Sequence, residues 1–548
     1  MTGLLLLATL TTVAQPSPVK NVGKSVFTLT TFKADGSLLA SSHGVFVDDA
    51  GTAVSDWSSF DGASKAVVID AAGKRLDVDY IIGANEIYDV AKFHVAGKTT
   101  GAPIAQTAVA EGATVYLVGY SVKKPEISTT RIDKVETFMD KYAYYVIKSI
   151  LPDNTQSCPL VNDGGQVIGF VQHSQYTTDN HSTDVKYITD IQQTGLSFND
   201  PVLRRTGIPT AIPDDKEQAR VALMLSGQTS DSTKYARTVD LFLNKFPDMA
   251  DGYFARAQRY VVNNDFAAAA RDMEAAIKNA TEKDDAHFSY ARLIYQKEVY
   301  KSGLPYPDWS LDKAYDEAQK AYDINPQPLY QHLQAQILFT KQEYQQAYDR
   351  FIALTATDLR NPELYYEAAQ CKKKLGGTAE ETVALLDSAI NGFKRPYTSE
   401  AAPYFYARAG ERAEKGDYRL AVADYNQYDT LMLGRHNADF YYVREQCEVK
   451  ARQFQQALID IEIATRMVPG EPLYWAEKSN LLIRLKMPKQ AIESADQCIA
   501  LDPEYSDGYM LKGLATIHQG NKKAGLELLA KARDMGNEQA QGLIDKYK

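Results

Sequence analysis

Ser157 and Cys158 set a hydroxyl beside a thiol, and His43 and His173 are the histidines that could approach them from nearby strands. A serine hydroxyl is inert near neutral pH unless a base within hydrogen-bond reach takes its proton. A thiol attacks as its thiolate. Either pairing would serve acyl transfer. The remaining cysteines, Cys371, Cys447 and Cys498, have no zinc-like spacing, so neither a metal nor a cofactor is expected.

The elements that would hold Ser157 and Cys158 are strands. From Lys24 to about Leu196 short β-rich runs alternate with Asp-Gly and Ala-Gly turns: SVFTLTTF, SLLASSHGVFVD, KAVVID, RLDVDYIIG, YDVAKFHV, ATVYLVGY, YAYYVIKS and GGQVIGFVQ. Many short strands at regular spacing predict an all-β barrel or sandwich.

The stretches GVFVDDAGTAVSDW, YDVAKFHV and CPLVNDGGQVIGFV resemble the trypsin-like serine proteases, closest to the exported high-temperature-requirement type with its double β-barrel. The resemblance puts the family's histidine position at Ser58, in Val54-Ser55-Asp56-Trp57-Ser58. It puts the aspartate at Asp89 and the nucleophile at Gln156, in Asn154-Thr155-Gln156-Ser157-Cys158-Pro159-Leu160. An amide cannot attack a carbonyl, and Ser58 cannot act as the base. Ser157 and Cys158 replace the two glycines whose turn would form an oxyanion hole. The resemblance therefore implies a pseudoprotease. Asp89 alone survives, and its strand-end position is equally consistent with local hydrogen bonding.

A second period begins at Lys216. The copy EPLYWAEKSNLLIRLKMPKQAIESADQCIALDP carries an aromatic at Trp475, small residues at Ser479, Ala491 and Ala495, and a stop at Pro503. Ala257 and Ala269, Ala335 and Ala347, and Ala409 and Ala421 recur 12 apart, and Ala457, Ala491 and Gly525 recur 34 apart. Small residues let paired helices cross closely, and Pro247, Pro326 and Pro469 end others. This period near 34 resembles the tetratricopeptide repeat (TPR) family. Copies start near 216, 250, 284, 328, 362, 402, 438, 472 and 506, about nine helix pairs, with a capping helix from Asn537 to Lys548. Cys371 and Cys447 hold one position two copies apart, beyond the ~7 Å Cα limit of a disulfide. They read as small packing residues.

In the TPR family the fifth and ninth positions of the first helix tend to face a concave groove. The fifth positions here are Phe254, Phe288, His332, Tyr366, Tyr406 and Tyr442. The ninth include Gln258, Gln336, Gln370, Gln446 and Asn480, with Arg292 interposed. Amides can donate to and accept from a peptide backbone while aromatics cover its side chains. Packing of these rings between repeats is the alternative reading.

The fold expected is multidomain: a trypsin-like double β-barrel over 20–196, a proline-bearing linker over 197–215, and an all-α TPR solenoid over 216–548. With 548 residues, 45% hydrophobic and 24% charged, the composition is that of soluble globular chains. A net charge of −10 argues against nucleic acid or an anionic membrane as partner. Residues 1–14, apolar and ending Thr12-Val13-Ala14, read as a secretory signal cleaved after Ala14, which places the mature chain in the periplasm or outside the cell. No run reaches the ~18 apolar residues of a membrane span. The function expected is an exported, non-catalytic scaffold that holds a protein or peptide partner. An active serine or cysteine peptidase with repeat-recruited targets, and a chaperone-like binder, are the alternatives.

Overall fold

The strand VFTLTTF turns Phe27, Leu29 and Thr31 inward and leaves Thr28, Thr30 and Phe32 half-buried, the period of two that a half-covered sheet requires. The computed structural model describes residues 15–121, 124–151, 155–173, 178–228 and 230–548. The leader read in residues 1–14, and residue 154 of the nucleophile segment, lie outside them. The chain divides into two units, Met1–Leu293 and Ile294–Lys548, and each is described by itself.

The first unit opens with a short helix, α1 (Ser17–Val22), followed by thirteen strands among the described residues. They are β1 (Val26–Phe32), β2 (Leu38–Phe46), β3 (Thr52–Ser55), β4 (Lys65–Ile69), β5 (Arg75–Asn85), β6 (Val90–Val95) and β7 (Thr114–Ser121). Then come β8 (Lys124–Arg131), β9 (Lys134–Phe138), β10 (Tyr142–Ile147), β11 (Pro159–Val161), β12 (Val167–His173) and β13 (Asn180–Asp184). A short helix, α2 (Tyr187–Asp190), ends the series.

The first six strands close a barrel in the order β1-β2-β3-β6-β5-β4. The others form a seven-stranded sheet, β8-β7-β11-β12-β13-β10-β9. Of the two barrels that the resemblance implies, one closes. The other sheet ends at β8 and β9, which no ladder joins among the described residues. Phe27, Phe46, Trp57, Phe60 and Phe93 fill the barrel. Leu117, Tyr145, Cys158 and Val171 lie under the second sheet. A third apolar layer, with Val45, Val54 and Val90 from the barrel and Val118, Val161 and Phe170 from the sheet, holds the two together. This layer fixes the end of β3 against the turn before β11.

Residues 197–215 lack a period but are bound along their length. Thr210 bridges Ile81 of β5 in parallel, Ile81 N–H donates to Pro209 O at 2.8 Å, and Ala211 N–H donates back to Ile81 O at 2.8 Å. Lys234 donates to the Leu203 and Thr206 carbonyls at 2.9 and 2.6 Å, and Lys245 donates to Ile212 O at 2.6 Å.

From Lys216 onward every labelled element is helical. In the first unit these are α3 (Lys216–Ser226), α4 (Ser232–Lys245), α5 (Ala250–Val262), α6 (Phe266–Asn279) and most of α7 (Lys283–Tyr300). The second unit continues with α8 (Leu311–Ile324), α9 (Pro328–Thr340), α10 (Tyr344–Leu354), α11 (Pro362–Lys374), α12 (Ala379–Asn391), α13 (Ala402–Lys415) and α14 (Tyr418–Met432). It ends with α15 (Ala438–Lys450), α16 (Phe454–Met467), α17 (Pro472–Arg484), α18 (Pro488–Leu501), α19 (Ser506–His518), α20 (Lys522–Asp534) and α21 (Glu538–Tyr547). The region is a helical repeat.

Starts are set locally. Asp215, Asp231, Asp265, Ser310 and Asn361 cap helices through their side chains, and Pro328, Pro362, Pro472 and Pro488 occupy first-turn positions, where no N–H is needed. Helix pairs cross at small residues. Ser479 Oγ donates to Ala491 O at 2.8 Å, and a Cβ added at Gly513 would lie 2.9 Å from Gly525 O. A polar clasp recurs 16 residues apart between the two helices of a pair. Arg256 grips Asp272, Arg408 grips Asp424 and Arg444 grips Asp460, each through two guanidinium nitrogens. Two parallel N–H···O bonds fix orientation as well as distance.

Candidate functional site

In the β domain the buried carboxylate of Asp56 gathers hydroxyls. Asp56 directly follows β3 and is 2% exposed. Its Oδ1 accepts from Ser157 Oγ at 2.7 Å and lies 3.0 Å from Ser55 Oγ. Its Oδ2 accepts from Ser59 N–H at 2.9 Å and from the Ser59 hydroxyl. Burial pushes the Asp56 carboxyl up, but hydroxyl donors from Ser157, Ser59, Ser42 and Ser55 outweigh it and hold the group below its ordinary value.

Two of the three triad positions meet. Ser58 N–H donates to Asp89 Oδ1 at 2.6 Å. The Ser58 hydroxyl lies 3.1 Å from both Asp89 Oδ2 and Asp56 Oδ2, and its single proton can go to only one of them at a time. Burial, then the nearby charge of Asp56, pushes the Asp89 carboxyl up. Gln156 stands apart: its Oε1 accepts from His173 N–H at 2.9 Å. Neither the trypsin-like resemblance nor strand periodicity gives Asp56 a role. Its signal was the concentration of serines at 42, 55, 58 and 59 around one aspartate.

The residues open to acyl-transfer chemistry are sealed. Ser157 is 1% exposed, its hydroxyl faces Asp56, and its N–H already donates to Val171 O at 2.8 Å. Cys158 N–H donates to Thr155 O at 3.0 Å. These two backbone donors are thus spent, one on β12 and one inside the turn, where Ser157 holds a left-handed φ of 61°. Cys158 is fully buried in apolar core, and burial pushes its thiol up to about 12. His43 Nε2 lies 3.3 Å from Tyr120 O, and burial lowers its pKa. His173 pairs through Nε2 with Thr155 Oγ1 at 3.0 Å and through Nδ1 with Asn180 Oδ1 at 2.6 Å.

Among the repeat residues, Phe254 of α5 and Phe288 of α7 are buried, and the Arg292 guanidinium lies over both rings, 4.1 and 5.7 Å from their centroids. Gln258 lies half-buried one turn beyond Phe254 on the same helix. In the second unit His332 and Gln336 of α9 converge on Glu367 of α11: His332 Nε2 is 2.6 Å from one carboxyl oxygen, and Gln336 Nε2 donates to the other at 2.8 Å. At the same 31-residue interval the amide of Gln446, on α15, faces Glu477 of α17, which Asn480 also faces. Gln446 donates to Glu445 at 2.6 Å, and the Tyr442 ring meets Tyr474 at 5.5 Å. A glutamate of a neighbouring helix thus engages Gln336 and Gln446, and Asn480 meets Glu477 of its own helix.

Tyr366 and Gln370 of α11 and Tyr406 of α13 share an open pocket of ≈ 770 Å³. Leu386, Pro403, Ala407, Tyr428 and Met432 give it an apolar lining, and Lys373, Lys374 and Glu411 add charge. Tyr406 is 40% exposed and rests its ring on Tyr425 and Tyr428, at 5.5 and 5.0 Å. The Gln370 side chain makes no hydrogen bond among the described residues. The volume falls in the range of ligand-sized clefts, and an apolar floor with a few polar groups is their usual lining.

No family model matches the chain. It is similar to U-box domain-containing protein 70 of Oryza sativa subsp. japonica, 25% identical over 140 residues, which cover 26% of this chain and 16% of that protein. It is also similar to small glutamine-rich tetratricopeptide repeat-containing protein 2 of Saccharomyces cerevisiae (strain ATCC 204508 / S288c), 28% identical over 89 residues, 16% of this chain and 26% of that protein. The chain therefore spans about a quarter or less of either relative. Among the described residues no helix is long and apolar enough to cross a membrane. A helical repeat region with a TPR-containing relative stands beside a β region built on a closed six-stranded barrel.

Proposed function

We propose that the chain is a non-catalytic scaffold whose TPR helices hold an extended segment of a partner protein. The observation that carries this reading is the pocket in which Tyr366, Gln370 and Tyr406 come together with apolar lining residues. Gln370 supplies an amide for peptide backbone, and the exposed face of Tyr406 covers an apolar side chain. A photo-crosslinking amino acid at Tyr406 of the full chain tests it. Partner peptides cross-linked there support the reading, and a partner captured in the same cells but cross-linked only elsewhere moves the site off this pocket.

The β domain, in this reading, is a trypsin-like fold without its catalytic centre. The burial of Ser157 and Cys158, and the pairing of Ser157 with a carboxylate, support inactivity over a working peptidase. The apolar leader supports export to the periplasm or beyond, with Gln15 as the mature N-terminus. N-terminal sequencing of native material tests this, and an intact Met1 in a cytoplasmic fraction would contradict it.

A further inference from the structure

The eighth position of the first helix in each repeat of the second unit is the crossing point, and it is small: Ala335, Ala369, Ala409, Ser479 and Gly513. In α15 the same position is Glu445. It is as buried as the alanines, with 0% exposure. One of its carboxyl oxygens accepts from Gln446, and the other, Oε1, has no partner among the described residues. One turn later Glu448 is 3% exposed, and its Oε2 is also unpartnered among the described residues.

The surrounding charge does not neutralise them. Asp460 faces the pair from α16 and Glu477 from α17, and Arg484 of α17 is the cation on that side. Arg444 of α15 is committed to Asp460 through two nitrogens and to Asp429 of α14 at 2.8 Å. Tyr442 and Cys447 of α15, and Tyr425 of α14 facing Cys447, complete the titratable groups around the crossing. A carboxylate buried without a cation or a full set of donors is far more costly than a protonated carboxyl.

We propose that the joint of α15 with α16 and α17 is proton-gated: protons on Glu445 and Glu448 keep the crossing closed, and their loss loosens it. Burial first, then acidic neighbours (Glu477 at Glu445, Asp460 at Glu448), pushes each group up to about 8. A carboxyl raised in the fold binds a proton that the unfolded chain has released, so stability falls as pH rises from the ordinary 4.5 towards about 8 and levels off above it. The two groups titrate as a pair.

Hydrogen exchange of the full chain, expressed as protection factors corrected for intrinsic rates, tests the joint at pH 6 and pH 9. Protection of α15 and α16 should drop by at least about tenfold, as one proton released over one pH unit implies. Protection of α9 and α10, which carry Ala335 at the crossing, should change much less. Glu445→Gln with Glu448→Gln should remove most of the drop, and Glu445→Ala, the residue of the other repeats, should reduce it. Equal protection at both pH values in the native chain, or a folded double variant that keeps the native drop, would overturn the proposal. If the variants fail to fold, the comparison of the two helix pairs in the native chain still decides it.

Discussion

Ser157 Oγ lies 2.7 Å from Asp56 Oδ1 across 101 residues of sequence, and the bond ties the turn before β11 to the end of β3. A hydroxyl that donates to a buried carboxylate is a strut between the sheets. Loss of a hydrogen bond to a charged group costs about 1.5–3 kcal/mol. Ser157→Ala should lower the unfolding free energy of the full chain by that amount in denaturant titration. A loss under about 0.5 kcal/mol would mean that other donors replace the Ser157 hydroxyl without cost.

The same carboxylate sets a behaviour in acid. A group held below its ordinary value of 3.8 contributes stability that is present above that value and lost as pH falls through its lower folded value. Asp56→Asn should therefore flatten the acid limb of the stability profile below about pH 4. An unchanged acid limb in a folded Asp56→Asn variant would assign acid unfolding to other carboxyls.

Cysteine labelling reads the sealed turn directly. All four cysteines are buried, and Cys158 has its thiol pushed up to about 12. Iodoacetamide at pH 8 should leave Cys158 unmodified in the native chain and modify it once the chain is denatured, as read by mass spectrometry. Rapid native labelling of Cys158 would reopen the peptidase reading. So would turnover in a peptide library that Ser157→Ala abolishes.

Periodicity made the two architectures legible. Alternation in VFTLTTF and the recurrence of Ala335, Ala409 and Ser479 each report a local rule, burial on one strand face or close helix crossing. The partners of single side chains depend on packing between distant segments. Nothing near Ser157 in sequence points to Asp56. Register predicts groove positions for Gln336 and Gln446, and only the fold reveals that Glu367 and Glu477, each 31 residues on, face their amides. Glu445 was hidden for another reason: it breaks the small-residue pattern, and a pattern is traced through the positions that keep it.

The dissociation constant of a partner cross-linked at Tyr406 reports binding in this pocket. Calorimetry on the purified full chain should be run for the native protein and for Gln370→Ala with Tyr406→Ala. Loss of an amide and an aromatic cover should weaken binding at least about tenfold, or ~1.4 kcal/mol. The double variant should stay folded with a modest fall in melting temperature, because the Gln370 side chain makes no hydrogen bond among the described residues and the ring lost at Tyr406, 40% exposed, packs on Tyr425 and Tyr428. An unchanged dissociation constant in a stably folded double variant would contradict the account.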